Sequence, residues 1–435
     1  MNKLNVWARR AIAAAIVLTA TGAAAQQMPA KVDKPVTIRF ANYNLASAGL
    51  GRDATLEMLD TFAKANPLIK VEGVPLPAAE VMSRVQADVV AGQPPDVAQI
   101  IFFDLDYSVA NFGVRALEDI VPAPELKAHF DGIFPNGLEL GRLNGKTYGL
   151  AYVFSTPVLF YNADLFKAAG LNPDAPPKTW DEVKAAAVAI NKATGKAGLI
   201  TGIFGPSAYD WLFQGVILSN GGRVLSKDRK TLTFGEKEAI GAVEVLRGIA
   251  DTGAMPNLPS NSAIETMASG NAGIYLQTSA VQGALLKGAK DRFDLRAAAM
   301  PAFGDKPVRP TNSGSALVIM TRDPVKQRAA WELMKHLTSD YGYTIITSKI
   351  GYLPLRQKAI DGEEFLAPWI RANPVVLPNL AQLKKVEPWT PLPGPNYKQI
   401  LTTMMNAAEE ATFGKGEVAA GMIAAQRRAQ ALMPR

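Results

Sequence analysis

The sequence has 435 residues, 48% hydrophobic and 20% charged, a globular composition that excludes a disordered or fibrous chain. It holds no cysteine and two histidines, His129 and His336, which removes disulfides, thiolate metal sites, cysteine nucleophiles and any multi-histidine metal centre. The length exceeds what one hydrophobic core usually spans, so two lobes of roughly 150–250 residues each are expected.

The chain begins with a basic stretch (Lys3, Arg9, Arg10), a short apolar run from Ala11 to Ala20 and the small residues Ala23-Ala24-Ala25. That order reads as a signal peptide over residues 1–25, cleaved before Gln26. No cysteine follows to carry a lipid, so the expected mature protein is free in the periplasm. Its loss lowers the formal charge from +7 to +4, too mild to call for a nucleic acid.

Val36–Phe40 alternates as a strand, Asp53–Ala65 as a helix, Ile69–Val74 as a strand, Ala79–Ala91 as a helix and Asp96–Phe103 as a buried strand. This alternation predicts an α/β lobe with a mostly parallel sheet. Asn144-Gly145 marks a hairpin turn; the glycines at 141 and 145 are too close for a phosphate loop. Thr156-Pro157 predicts an extended crossing into a strand at Val158–Tyr161. A helix from Asn162 to Ala169 follows, and Thr179-Trp-Asp-Glu182 is a capping box opening a helix to about Ala193. Helices over Gly235–Thr252 and Ile264–Ser269 precede strands at Ala272–Thr278 and Ala316–Met320. A long helix over Asp323–Ser339, a proline-rich loop at Pro388–Pro395 and a helix over Tyr397–Phe413 complete the reading.

Catalytic signatures are missing: there is no G-x-S-x-G, S-x-x-K, H-E-x-x-H or G-x-G-x-x-G in its required context. The histidines read as packed or surface residues. Paired carboxylates, Asp104 and Asp106 after a buried strand, are the one enzyme chemistry left open, which makes an exported hydrolase the alternative from another class.

Ser155-Thr-Pro-Val-Leu-Phe-Tyr-Asn162, Phe166-Lys-Ala-Ala-Gly-Leu171, Pro176-Pro-Lys-Thr-Trp180, Gly351-Tyr-Leu-Pro354 and Gly92-Gln-Pro-Pro-Asp96 together resemble the family 1 extracellular solute-binding proteins of ABC importers. The resemblance runs from about Val36 to the C-terminus. It implies a two-lobed periplasmic binding protein fold of type II, with the ligand cleft between the lobes. One lobe would span 26–154 plus 305–351 and the other 155–304 plus 352–435, with crossings near Ser155, Met300–Gly304 and Gly351–Leu355. It implies a monomer that passes a solute to permease subunits in the inner membrane, without catalysis, metal or cofactor. The same fold would also serve a chemoreceptor-coupled sensor. Ser155, Gly314, Tyr352 and Ser279 (or Thr278) match ligand positions of the family. The family's ligand glutamate and tyrosine fall at Phe102 and Ala78. The arginine that grips a phosphate would lie within Pro388–Pro395, which has none.

A site for a carbohydrate or polyol needs aromatic platforms and short polar groups, since each buried hydroxyl must keep its hydrogen bonds. Tyr43, Trp211, Tyr352 and Trp389 are the candidate platforms, with Trp211 equally a core residue. Asn42, Asp104, Ser155, Gln277, Ser279 and Asn312 are the candidate polar partners, Asp104 equally a helix cap. The expected function is capture of a carbohydrate, polyol or glycerol-derived solute by lobe closure. The expected solute is uncharged; glycerol 3-phosphate or a glycerophosphodiester is the alternative, which Arg309 or Arg371 would favour by reaching the cleft.

Overall fold

In the computed structural model, residues 28–47, 49–205 and 209–434 are described; the expected signal peptide lies outside them. Among the described residues eleven strands form: β1 (Val36–Asn42), β2 (Ile69–Pro75), β3 (Val97–Ile101), β4 (Arg142–Leu143), β5 (Lys146–Thr147), β6 (Gly149–Ser155), β7 (Pro157–Asn162), β8 (Ala197–Thr201), β9 (Ala272–Thr278), β10 (Leu295–Ala298) and β11 (Ser313–Ile319). They make a five-stranded sheet in the order β2-β1-β3-β11-β6, a four-stranded sheet in the order β10-β7-β9-β8, and the hairpin β4-β5. The protein is two-lobed, one lobe around each large sheet.

The first sheet is parallel through β2, β1 and β3, and β11 then inserts antiparallel between β3 and β6. Every residue of β3, β6 and β7 is buried, which explains their largely apolar sequences, broken only by Gln99 and by Ser155 and Asn162 at the strand ends. The buried strand β3 stops at Ile101, two residues before the predicted end, because Phe102–Asp104 turns tightly into the helix Leu105–Asn111. Asn144 and Gly145 take φ of 50° and 81° in the predicted hairpin turn. The predicted capping box is complete: Thr179 accepts from the Glu182 backbone, and Glu182 accepts from the Thr179 backbone.

The chain changes sheet at a single residue. β6 ends at Ser155, β7 begins at Pro157, and the Thr156 hydroxyl between them is buried on Asn379 Oδ1 at 2.9 Å. It returns between β10 and β11, and runs back once more after the helix Asp340–Lys349. Two glycines allow these passages. Gly314 has φ 125°, and a Cβ there would sit 1.9 Å from the Val153 carbonyl oxygen; Gly351 has φ 114°, with a Cβ 2.4 Å from the Ser279 carbonyl oxygen. Past Gly351 the chain still touches the first lobe, since the Leu353 amide donates to the Phe154 carbonyl and the Phe134 amide to that of Leu355.

Candidate functional site

The C-terminal ends of β1, β3, β8 and β9 converge where the two sheets face each other, the position at which α/β sheets hold ligands. A cavity of about 290 Å³ opens there. The first lobe lines it with Tyr43, Ala78, Ala79, Ile101, Ser155, Ser313 and Gly314. The second contributes Gly202, Phe204, Tyr209, Trp211, Ser260, Gln277, Thr278 and Ala280, with Tyr352 and Trp389 from the C-terminal part of the chain. Among the described residues, the lining includes no Asp, Glu, Lys, Arg or His.

Hydrogen bonds to strand residues fix the first-lobe side. The Tyr43 amide donates to Gln99 Oε1 at 3.1 Å, and its hydroxyl donates to Ser315 Oγ at 3.2 Å. Gln99 Nε2 donates to the same Ser315 oxygen at 2.9 Å, and both Gln99 and Ser315 are buried. Burial, with Tyr352 alongside, holds the Tyr43 hydroxyl well above the ordinary phenol range, so it stays a neutral donor and acceptor. At the cavity floor Thr278 donates to Ser155 Oγ at 2.7 Å, joining β9 of one sheet to β6 of the other. Gln277 lies beside it, its Oε1 accepting from the Thr278 amide at 2.8 Å. Gly202 lies opposite, and a Cβ there would come within 1.7 Å of Gln277 Nε2, so any side chain at 202 would displace the Gln277 amide.

The second-lobe side is aromatic and hangs on a buried carboxylate. Trp389 donates Nε1–H to Asp210 Oδ1 at 2.8 Å, stacks on Phe103 (centroids 5.0 Å, planes 20° apart) and meets Tyr209 edge-on at 5.6 Å. Gln214 Nε2 donates to the second Asp210 oxygen at 2.8 Å, while Gln214 Oε1 accepts from the Thr390 amide. Burial without a cation pushes the Asp210 carboxyl up to about 6, against the hydrogen bonds from Gln214 and Trp389 that favour its charged form. Trp211 follows as the first residue of the helix Trp211–Ser219.

Seven of the eleven ligand residues expected from sequence therefore come together around one cavity: Tyr43, Ser155, Trp211, Gln277, Gly314, Tyr352 and Trp389. Four lie outside its lining. Asn42 is buried and closes the following turn, accepting from the Leu45 amide at 2.9 Å. Asn312 supports the loop behind, accepting from the Trp389 amide at 2.8 Å. Ser279 is turned inward, and its neighbour Thr278 faces the cavity instead. Asp104 is buried behind the aromatic wall, where Tyr397 donates to its Oδ1; burial raises its carboxyl against the opposing pull of Lys398 and the Tyr397 bond. Asp106 sits on the surface, paired with Arg229 at 3.3 Å. Arg309 and Arg371 are engaged by Glu387 and Glu363 at 3.0 and 2.8 Å, and neither lines the cavity.

Phe204, Tyr209, Ser260 and Ala280 were not expected from sequence. The signal for the first two was the strand β8: once Ala197–Thr201 is recognised as a strand, the loop from Gly202 onward lies at a sheet's ligand-binding end. Ala78 does line the cavity, and Ile101 occupies the place beside Phe102.

The sequence profile described as "Bacterial extracellular solute-binding protein" matches residues 57–374. A binding protein of Brucella abortus (strain 2308) is 26% identical over 382 residues, 87% of this chain and 89% of its own. The sn-glycerol-3-phosphate-binding periplasmic protein UgpB of Pectobacterium atrosepticum is 24% identical over 335 residues, 72% of each chain. The crystal structure of UgpB from Mycobacterium tuberculosis with glycerophosphocholine superposes with a TM-score of 0.80 at 21% identity, covering 91% of this chain and 98% of that one.

Proposed function

Because the chain belongs to the bacterial extracellular solute-binding protein family, we propose that it captures an uncharged carbohydrate or polyol in the cavity between its lobes and delivers it to an ABC permease. The observation that carries the ligand class is the lining itself: aromatic rings on one side, hydroxyl and amide groups on the floor, and no ionisable acid or base other than tyrosine hydroxyls among the described residues. Aromatic faces suit the C–H faces of a sugar ring, and Ser155, Ser260, Gln277, Thr278 and Ser313 offer both donors and acceptors to hydroxyls. The volume suits a small solute.

The mature protein begins at Gln26, works in the periplasm as a monomer and closes about crossings near Ser155, Met300–Gly304 and Gly351–Leu355. The lobes comprise 26–154 plus 305–351 and 155–304 plus 352–435. Asp104 and Asp106, the residues an alternative hydrolase would use, are engaged by Tyr397 and Arg229 instead. A glycerol-3-phosphate or glycerophosphodiester solute is the second reading, favoured by the relatives named above. It must bury a phosphate with no cation in the lining, and an unpaired buried charge costs several kcal/mol.

Calorimetry on the mature protein with maltose, an arabinose trisaccharide, glycerol, sn-glycerol 3-phosphate and glycerophosphocholine tests this. The expected result is binding of a neutral member and weak or no binding of glycerol 3-phosphate. Micromolar affinity for glycerol 3-phosphate with none for any neutral solute would overturn it.

A further inference from the structure

The segment after β3 leaves the five-stranded sheet yet makes its side-chain contacts on the other lobe. Phe103 stacks on Trp389 and belongs to the same hydrophobic cluster as Leu392 and Tyr397. Asp104 is fully buried; its Oδ1 accepts the Tyr397 hydroxyl and lies 3.9 Å from Lys398 Nζ, while Oδ2 has no partner. Tyr397 and Lys398 open the helix Tyr397–Phe413, which packs on the helices Lys237–Ala250 and Val418–Gln430 of the second lobe. Asp106, two residues on, reaches Arg229 of that lobe at 3.3 Å, though both side chains are largely exposed.

We propose that Asp104 is a positioning residue: with Tyr397 and Lys398 it forms a latch between the lobes that sets how often the protein is closed, and it does not touch the solute. The inference rests on reading the chain as a binding protein whose lobes close. Three physical points support it. First, the contact joins the turn that follows β3 of one lobe to a helix packed on the other, so hinge opening must stretch or break it. Second, its geometry suits a reversible catch. A carboxylate held by one hydroxyl and a cation at 3.9 Å loses most of its Coulombic gain to desolvation, and opening returns the free oxygen to water. Third, the exposed Asp106–Arg229 pair beside it contributes little, because surface ion pairs are screened, so the buried member dominates. A solute that binds the closed form is weakened by whatever fraction of the protein is open. Asp104 would therefore tune affinity from behind the aromatic wall.

The chain has no cysteine, so spin labels can be placed without background: Val90→Cys on the first lobe and Val188→Cys on the second, at positions 82% and 37% exposed. Pulsed electron spin resonance then reads the inter-lobe distance with no solute present. Asp104→Ala and Tyr397→Phe should each lengthen the distance, Asp104→Asn (which keeps an acceptor for the hydroxyl) should lengthen it less than Asp104→Ala, and the Asp104→Ala/Tyr397→Phe double variant should go no further than the larger single change. Should Asp104→Ala fail to fold, Tyr397→Phe, which removes only an oxygen, carries the test. Distances unchanged from the parent, or shifts that add in the double variant, would overturn the latch. Because no solute is used, a response here alongside no binding in the calorimetric panel would defeat the solute reading and leave the latch standing.

Discussion

The two sides of the cavity are built on different principles. The first-lobe side places Tyr43, Ser155 and Gly314 within two residues of strand ends or in the strands, and orders them through neutral hydrogen bonds to buried strand residues. The second-lobe side carries Trp389 and Tyr209 on irregular segments, with Trp389 ordered by the buried carboxylate of Asp210 and Tyr209 packed edge-on against its ring. Strands supply position through their own ladder. A loop has no such ladder, so its side chains need a strong acceptor at the centre, and charge-assisted bonds provide it. The first arrangement should be indifferent to pH near neutrality, while the second carries a titration.

The largest expected effect probes the backbone of the strand-borne side. Gly314→Ala introduces both a strained φ and a collision with the Val153 carbonyl, and should destabilise the fold by about 4 kcal/mol or more in urea unfolding. A variant as stable as the parent would show that this crossing is not rigid. On the loop-borne side, Trp389→Ala should cost about 3–5 kcal/mol and weaken the solute found by calorimetry, since the indole is 5% exposed and its loss leaves Asp210 with one donor fewer. Unchanged affinity would remove Trp389 from the binding surface.

The pH prediction separates the sides further. The Asp210 carboxyl is raised to about 6 in the folded protein, so the native state binds its proton more tightly than the unfolded chain does. The stability it adds is fully present below about pH 4 and is lost as pH rises through about 6, a change of about 3 kcal/mol. Asp210→Asn should abolish that fall, gaining on the parent by about that amount between pH 4 and pH 7. A parallel pair of stability–pH curves would refute the assignment. His129, in the first lobe away from the cavity, works in the opposite sense. Burial and then the charge of Arg356 depress it to about 3. Its contribution is present above the unfolded value near 6.5 and declines as pH falls toward 3. His129→Gln should spare the protein about 2 kcal/mol of acid destabilisation between pH 6.5 and pH 4.5, read from the same titration. The smallest effect is expected from Asp106→Asn, within about 1 kcal/mol, because its pair with Arg229 is exposed.

How much was legible follows the same division. The strands β1, β2, β7 and β9 and the capped helix Trp180–Thr194 announce themselves through periodicity and capping residues. Tyr43 was legible from its place in the polar loop after the first strand, while Ser155 and Gly314 were found through the family resemblance. The helix Trp211–Ser219 gives no such signal: all nine of its residues are buried, so no polar face alternates with an apolar one. β8 is short and begins Ala-Gly, and was missed with the ligand loop that follows it. Asn42, Asn312 and Asp104 have the chemistry of ligand contacts, but local sequence does not reveal which way a polar side chain turns after a strand. Leu45, Trp389 and Tyr397 claim them, at separations of 3, 77 and 293 residues.

The sheet order carries a consequence for how the chain acquires its shape. β11 lies between β3 and β6, so until residues 313–319 are available the first lobe's sheet remains two unjoined pieces. All four strands of the other sheet, from Pro157 to Ala298, precede it. A chain that emerges N-terminus first, from a ribosome or across a membrane, can therefore complete the second lobe's sheet while the first still waits for the strand that joins β3 to β6. The first lobe pairs its ends late and over a long separation, which is slow by loop-closure entropy and leaves the edges of β3 and β6 uncovered meanwhile. Those two edges are where aggregation or holding by a chaperone would act.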